Sequence, residues 1–177
     1  MKRLFVLVPL SLLILVSCQN KETLAELDEL KAQTELEKQN LALLGKYIEA
    51  WNAQDIQLLD EFLDPQFQLY IPSNSEDPMS LEQFKGWFDG IFQVYPDIQY
   101  DIQDIFVYKD KVCIRWTCTA TYQGVDPDDP TTGKKIVASA IETYKVENGK
   151  IVEERSETDA LGLNQQLGYT LVKIEGE

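Results

Sequence analysis

Asp159 is the residue of this chain best placed to do chemistry. It ends an alternating stretch, Lys150 to Thr158, and a short Leu/Gln helix begins directly after it. A carboxylate at a strand–helix junction sits on rigid elements, as a general acid or base must. The same position suits a helix N-cap, a role in which Asp is among the favoured residues. Histidine is absent from the chain, which excludes Ser-His-Asp and Cys-His catalysis and His-based zinc or iron sites. Acid–base work near neutral pH must therefore fall to a carboxyl, a Tyr or a Lys whose pKa its surroundings have moved. No metal or cofactor is expected.

Two further polar residues accompany Asp159. Tyr122 shares strand parity with Val112, Ile114, Trp116, Cys118 and Ala120. It reads either as core or as a phenol directed into a pocket. Arg155 shares parity with Asp159, about 13 Å along the strand, and meets either a ligand or one of Glu142, Glu153 and Glu157. Trp51, Trp87, Phe88, Phe92 and Trp116 exceed what closing a small core requires. Packing is their ordinary role, with some of them expected to line a cavity.

The elements that must position these groups follow from periodicity. Gln19 to about Asn40 is charged and rich in Glu and Lys, and reads as a helical tether continuous with the first domain helix. Its Leu27, Leu30, Thr34, Leu41 and Leu44 fit an a/d pattern loosely enough to leave a coiled-coil dimer open. Leu44, Tyr47, Ile48 and Trp51 form a buried helical stripe, and Asp55 caps a short second helix. Pro65 marks a break before a strand over Gln66 to Ile71, and Ser80 caps a third helix ended by Tyr95-Pro96-Asp97. Four long strands come next, at Ile98–Tyr108, Val112–Gln123, Lys134–Val146 and Lys150–Thr158, with Asn148-Gly149 as a hairpin turn. Helices followed by mostly antiparallel strands give an α+β fold, with about three helices on one face of a curved sheet. Asp126, Asp128 and Asp129 lie in a Pro-interrupted loop that lacks the EF-hand pattern and reads as solvated.

The amino terminus is of another kind. Met1-Lys2-Arg3 is basic, Leu4 to Val16 is almost unbroken apolar, and Leu15-Val16-Ser17-Cys18 closes it. Thirteen residues span about 20 Å as a helix, short of a bilayer core of about 30 Å, so this is a signal h-region. Small residues before a cysteine resemble the bacterial lipobox, with an ordinary secretory signal as the alternative. The resemblance implies a signal peptide over 1–17, acylation of Cys18 and a lipid-anchored protein of the bacterial cell envelope, facing the periplasm or the exterior. The tether would be 18–40 and the domain 41–177.

Without Lys2 and Arg3 the chain has 14 basic and 30 acidic residues, a net charge of −16. That argues against nucleic acid as a partner. Cys113 and Cys118 point to opposite faces of one strand and read as small hydrophobes.

Several segments in register resemble the SnoaL-like ester cyclases (polyketide cyclases), a branch of the NTF2-like cone folds. They are Asn52 and Asp55, Tyr95 to Ile98, Asp110 with Arg115-Trp116, Thr121-Tyr122 with Gly124, Thr131 to Gly133 with Lys134, and Asp159 to Gly168. The resemblance covers about Leu41 to Gly168. It implies a cone-shaped α+β domain in which Asp159 is the acid–base residue, with Tyr122 donating to a developing oxyanion. It further implies that Arg155, Trp51, Trp87, Trp116 and Phe88 contact an apolar or anionic small molecule. Tyr122 stands where the family usually has His, and Arg155 where it usually has Trp, so the pocket is expected to be more polar and more cationic if the face carrying Arg155 lines the cone. A homodimer paired through the open sheet face carrying Arg115, Thr117 and Thr119 is expected as well. The alternatives are a ligand-binding lipoprotein without turnover and an interaction module.

Overall fold

The computed structural model describes residues 10–72, 76–124 and 130–173, with side chains from Lys21 onward. The acidic loop of Asp126, Asp128 and Asp129, the first nine residues and the side chain of Cys18 lie outside the described residues. The chain divides into two units, Met1–Leu36 and Glu37–Glu177.

Helix α1 spans Leu10–Ala53. In the first unit Leu24, Leu27 and Leu30 are exposed, and Thr34 Oγ1 donates back to the Leu30 carbonyl. No helix among the described residues is long and apolar enough to cross a membrane. In the second unit Leu44, Tyr47, Ile48 and Trp51 are buried, a spacing of three and four that puts them on one helix face. Glu37 and Asn40 belong to this unit by contact. Glu37 accepts from the Lys109 backbone N–H at 3.0 Å, and Asn40 donates to the Lys109 carbonyl at 2.9 Å.

Asp55 caps as expected, accepting from Gln57 N, but the expected second helix is a 3₁₀ turn, Ile56–Leu58, and a single α turn, α2 (Leu59–Phe62). Strand β1 (Leu63–Tyr70) begins earlier than expected and contains Pro65. The reason is a register shift against its parallel neighbour between Leu63 and Gln68, an unpaired stretch where a missing N–H costs nothing. After β2 (Met79–Ser80) comes α3 (Leu81–Val94), held at its start by a capping box of Ser80 and Gln83. Next in the chain are β3 (Gln99–Tyr108), β4 (Lys111–Thr121), β5 (Lys135–Glu147), β6 (Lys150–Thr158) and α4 (Ala160–Leu167).

The six strands make one sheet in the order β2-β1-β6-β5-β4-β3, antiparallel except for β1 against β6. The fold is thus α+β with a mostly antiparallel sheet. Asn148 and Gly149 join β5 to β6 with φ of 52° and 75°, the left-handed pair a tight hairpin requires. Along β4, Val112, Ile114, Trp116, Cys118 and Ala120 are buried, and along β5 the same holds from Ile136 through Val146 at every second residue. Cys113 and Cys118 are free and on opposite faces.

A bulge in β6 decides which side chains enter the core. Lys145 pairs with Glu153 but Val146 with Ile151, leaving one extra residue, Val152, on β6. One residue of slip exchanges the faces of everything beyond it. Ile151 is buried, and after the bulge the inward residues are Glu154, Ser156 and Thr158. Arg155 and Glu157 consequently point outward.

Candidate functional site

The second unit encloses a cavity of about 280 Å³. Helix α1 contributes Ile48 and Trp51, α3 contributes Trp87 and Ile91, and Tyr95 adjoins them from the end of α3. The sheet adds Tyr100 from β3, Trp116 and Cys118 from β4, Ala138, Glu142 and Tyr144 from β5, and Ser156 and Thr158 from β6. Trp87 and Thr158, which are exposed, mark the mouth together with Leu163 of α4. The wall is a run of rings in edge-to-face contact, the preferred arrangement of aromatic pairs. Trp51 meets Trp87 at 6.4 Å and 72°, and Tyr100 at 5.1 Å and 75°. Tyr100 in turn meets Trp116 at 5.1 Å and 82°.

Within this apolar wall sits a carboxyl. Glu142 is 7 % exposed and takes a hydrogen bond from the Tyr144 hydroxyl on one oxygen and from Ser156 Oγ, at 2.9 Å, on the other. Glu154, 3 % exposed, lies in the core and accepts from the Tyr47 hydroxyl at 3.1 Å. Neither carboxylate has a basic partner among the ion pairs of the described residues. An uncompensated charge in such surroundings is costly, so the group holds its proton to higher pH. Burial raises Glu142 above its usual range, against the hydrogen bonds of Tyr144, Trp116 and Ser156, which favour the ionised form. Burial, and then the charge of Glu142, push Glu154 well above it. Tyr47 and Tyr144 are raised for the same reasons, burial first and the neighbouring carboxylates second. Tyr100 is raised by burial, then by Cys118 and Glu142.

The Trp51 indole N–H lies beside the Tyr47 hydroxyl and favours its ionised form. It makes no hydrogen bond of acceptable geometry and is the buried side-chain polar atom left without a partner among the described residues.

The three tryptophans expected to meet a ligand, Trp51, Trp87 and Trp116, all line the cavity. Phe88 does not; it is 1 % exposed and packed behind the wall, 4.6 Å from Trp51 and 4.5 Å from Phe92. Tyr122 is buried against Tyr95 at 5.6 Å and stands one ring back from the lining. Asp159 is exposed and caps α4, accepting from Gly162 N at 2.8 Å, although Thr158 and Leu163 on either side of it reach the mouth. Of the two roles expected for Arg155, a ligand contact or a salt bridge, the structure shows the salt bridge. The β6 bulge turns it to the outer face, where its side chain pairs with Glu153 at 2.7 Å and lies over the Tyr70 ring at 4.1 Å. Among the described residues the lining has no Lys or Arg. The face carrying Arg155 does not line the cavity, so the condition for a cationic pocket is not met, and the charged side chain in the described lining is Glu142.

Glu142, Glu154 and Tyr100 are the site residues that sequence reasoning missed. For Glu142 a signal existed. It shares parity with Ile136, Ala138, Ala140, Tyr144 and Val146, and a Glu on the apolar face of a strand is a buried carboxyl. For Glu154 no such signal existed, because the bulge precedes it.

The chain resembles several solved structures over most of its length. AclR from Streptomyces galilaeus is 24% identical, with a TM-score of 0.68 over 79% of this chain and 91% of that one. IdmH from Streptomyces antibioticus is also 24% identical, with a TM-score of 0.65 over 72% and 97%. TsrD from Streptomyces laurentii, 24% identical, gives 0.64 over 74% and 96%. At this identity the likeness speaks for the fold alone. No curated protein matches the sequence. Residues 41–167 match the model of the SnoaL-like polyketide cyclases, and with that segment forming more than half of its length the chain belongs to the SnoaL-like polyketide cyclase family.

Proposed function

We propose that this protein is a lipid-anchored cell-envelope protein whose cavity binds a small molecule and carries out proton transfer next to a carbonyl. Glu142 is the acid–base group. The observation that carries this reading is a carboxyl opening into an aromatic cavity and held by Tyr144 and Ser156. Burial brings its pKa toward the operating pH, where a general base is most effective. Its ionised form removes a proton α to the carbonyl, leaving an enolate and a protonated Glu142, which then returns a proton to carbon and regenerates the carboxylate. Tyr100, which also lines the cavity, donates to the enolate oxygen. Asp159, the residue the family resemblance favours, acts on this reading as the cap that sets α4 at the mouth.

The test is deuterium exchange at the α-carbons of cyclohexanone and β-tetralone in deuterium oxide, followed by nuclear magnetic resonance. Wild type should accelerate exchange. Glu142→Gln should lower the rate at least about a hundredfold, within the usual range for a lost general base, whereas Asp159→Asn should retain most of it. Saturable binding without exchange would leave a ligand-binding lipoprotein, and loss on Asp159→Asn alone would return the chemistry to Asp159.

Anchoring is supported by the basic Met1-Lys2-Arg3, the apolar run and Leu15-Val16-Ser17-Cys18. Pairing of two copies is supported by the outer sheet face, where Val137 and Ile141 of β5 are 56% and 51% exposed opposite Thr119 and Arg115 of β4.

A further inference from the structure

Size, wall and charge together limit which molecules can enter the cavity. Its volume of about 280 Å³ lies just below the usual range of ligand sites, about 300 to 1,000 Å³. One ring or two fused rings fill such a space. The rings of Trp51, Trp87, Tyr100 and Trp116 offer it flat apolar surface. The polar groups are hydroxyls, among them Tyr100, Ser156 and Thr158, and the carboxyl of Glu142, with no cation among the described lining residues to oppose it. Glu142 opens on the cavity, Glu154 lies buried behind it, and the lining holds no Lys or Arg among the described residues.

A carboxylate ligand would give up its hydration in this apolar cavity and find no cation in the described lining to pair with, and burial of an unpaired charge is costly. The net charge of the whole chain has the same sign. A neutral oxygen meets donors instead. Tyr100 lines the cavity, is mostly buried, and its hydroxyl has no hydrogen-bond partner among the described residues, although the atom is not sealed off in the core. Such a donor gains by finding an acceptor on a ligand. Glu142 in its protonated form is a second donor beside it.

Building on the reading of Glu142 as the acid–base group, we infer that the cavity selects compact neutral ligands bearing a carbonyl or similar acceptor oxygen and rejects carboxylates of the same frame. The ketone oxygen lies toward Tyr100 and Glu142, and the ring system lies against the tryptophans.

The experiment uses four probes of one frame on purified protein: β-tetralone, tetralin, the corresponding tetralin carboxylate and the aminotetralin. All three tryptophans of the chain line the cavity, so their fluorescence reports occupancy, and calorimetry gives affinity. The ketone should bind saturably, the carboxylate at least tenfold more weakly. In Glu142→Leu the ketone should lose at least tenfold while tetralin is unchanged. If that variant does not fold, Tyr100→Phe should weaken the ketone relative to tetralin. Carboxylate binding equal to the ketone, tightest binding of the amine, or no saturable ketone binding would each overturn the inference. Proton exchange is read separately. A ketone that binds without exchange defeats the catalytic reading and leaves this one standing. Exchange that needs Glu142 with no discrimination between probes does the reverse.

Discussion

The hydroxyl of Tyr47 on α1 donates to Glu154 on β6 at 3.1 Å, joining residues 107 apart in the chain inside the core. This bond in the core and the Tyr144–Glu142 bond at the cavity wall form a polar cluster with two carboxyls, two phenols and, among the ion pairs of the described residues, no cation. A carboxylate in that setting is stable only while it shares or holds a proton.

The cluster gives stability a definite pH dependence. Glu142 and Glu154 titrate higher in the folded state than in the unfolded chain, where a Glu titrates near about 4.3. Their contribution is complete below that value. As pH rises above it, the native state keeps protons that the unfolded chain releases, so stability declines by up to about 1.4 kcal/mol per pH unit for each proton. Asp97 works oppositely, since its hydrogen bonds with Thr121 lower its pKa, and its share is lost only in stronger acid. The urea midpoint should therefore be higher near pH 5 than near pH 7. Glu154→Gln should flatten that difference, and an unchanged slope would count against a proton held in the core.

Glu154→Gln should also be neutral or stabilising near pH 7, because the amide keeps the Tyr47 bond and removes the ionisable group. Tyr47→Phe removes the donor and leaves a buried acceptor unmet, at a cost of about 1–3 kcal/mol. Equilibrium unfolding of the two variants checks the order.

The Asp159 cap predicts an effect at Gly162. A Cβ added there would lie 2.2 Å from Asp159 Oδ2, so Gly162→Ala must displace the carboxylate from the Gly162 N–H. The expected loss is about 1 kcal/mol, that of a missing N-cap. Asp159→Asn should cost only a fraction of it. Thermal melts of both variants distinguish a cap from a residue whose removal leaves stability untouched.

The fold was largely legible because alternation along β4 and β5 and the helical stripe from Leu44 to Trp51 are long, regular signals. Ser80, Asp55 and Asn148-Gly149 are local signals with a fixed stereochemical cause, and each sits where the residue type demands. The site was legible only in part. Trp51, Trp87 and Trp116 lie on regular elements, so their inward direction follows from periodicity. Arg155 and Glu154 lie beyond the extra residue of β6, and parity counted from Ile151 exchanges them. A bulge of one residue leaves no mark in the hydrophobic pattern of a strand as polar as Lys150 to Thr158.

Anchoring through Cys18 predicts that a fatty-acid analogue labels the wild-type protein in cells and leaves Cys18→Ala unlabelled. Label retained on Cys18→Ala would remove the argument for a lipoprotein.

Pairing through the outer sheet face predicts a dimer of the soluble chain at micromolar concentration, weakened by Val137→Glu or Ile141→Glu. The protein used should retain Glu37 and Asn40, whose bonds to Lys109 belong to the domain. A wild-type monomer at high micromolar concentration in analytical ultracentrifugation would contradict it.

The central claim is that Glu142 is a cavity carboxyl poised to exchange its proton. Nuclear magnetic resonance titration of carbon-13 carboxyl-labelled Glu, with Glu142→Gln to assign the signal, tests it directly. A midpoint well above about 4.3 that moves when β-tetralone is added is the predicted result. A midpoint at or below that value would contradict the account.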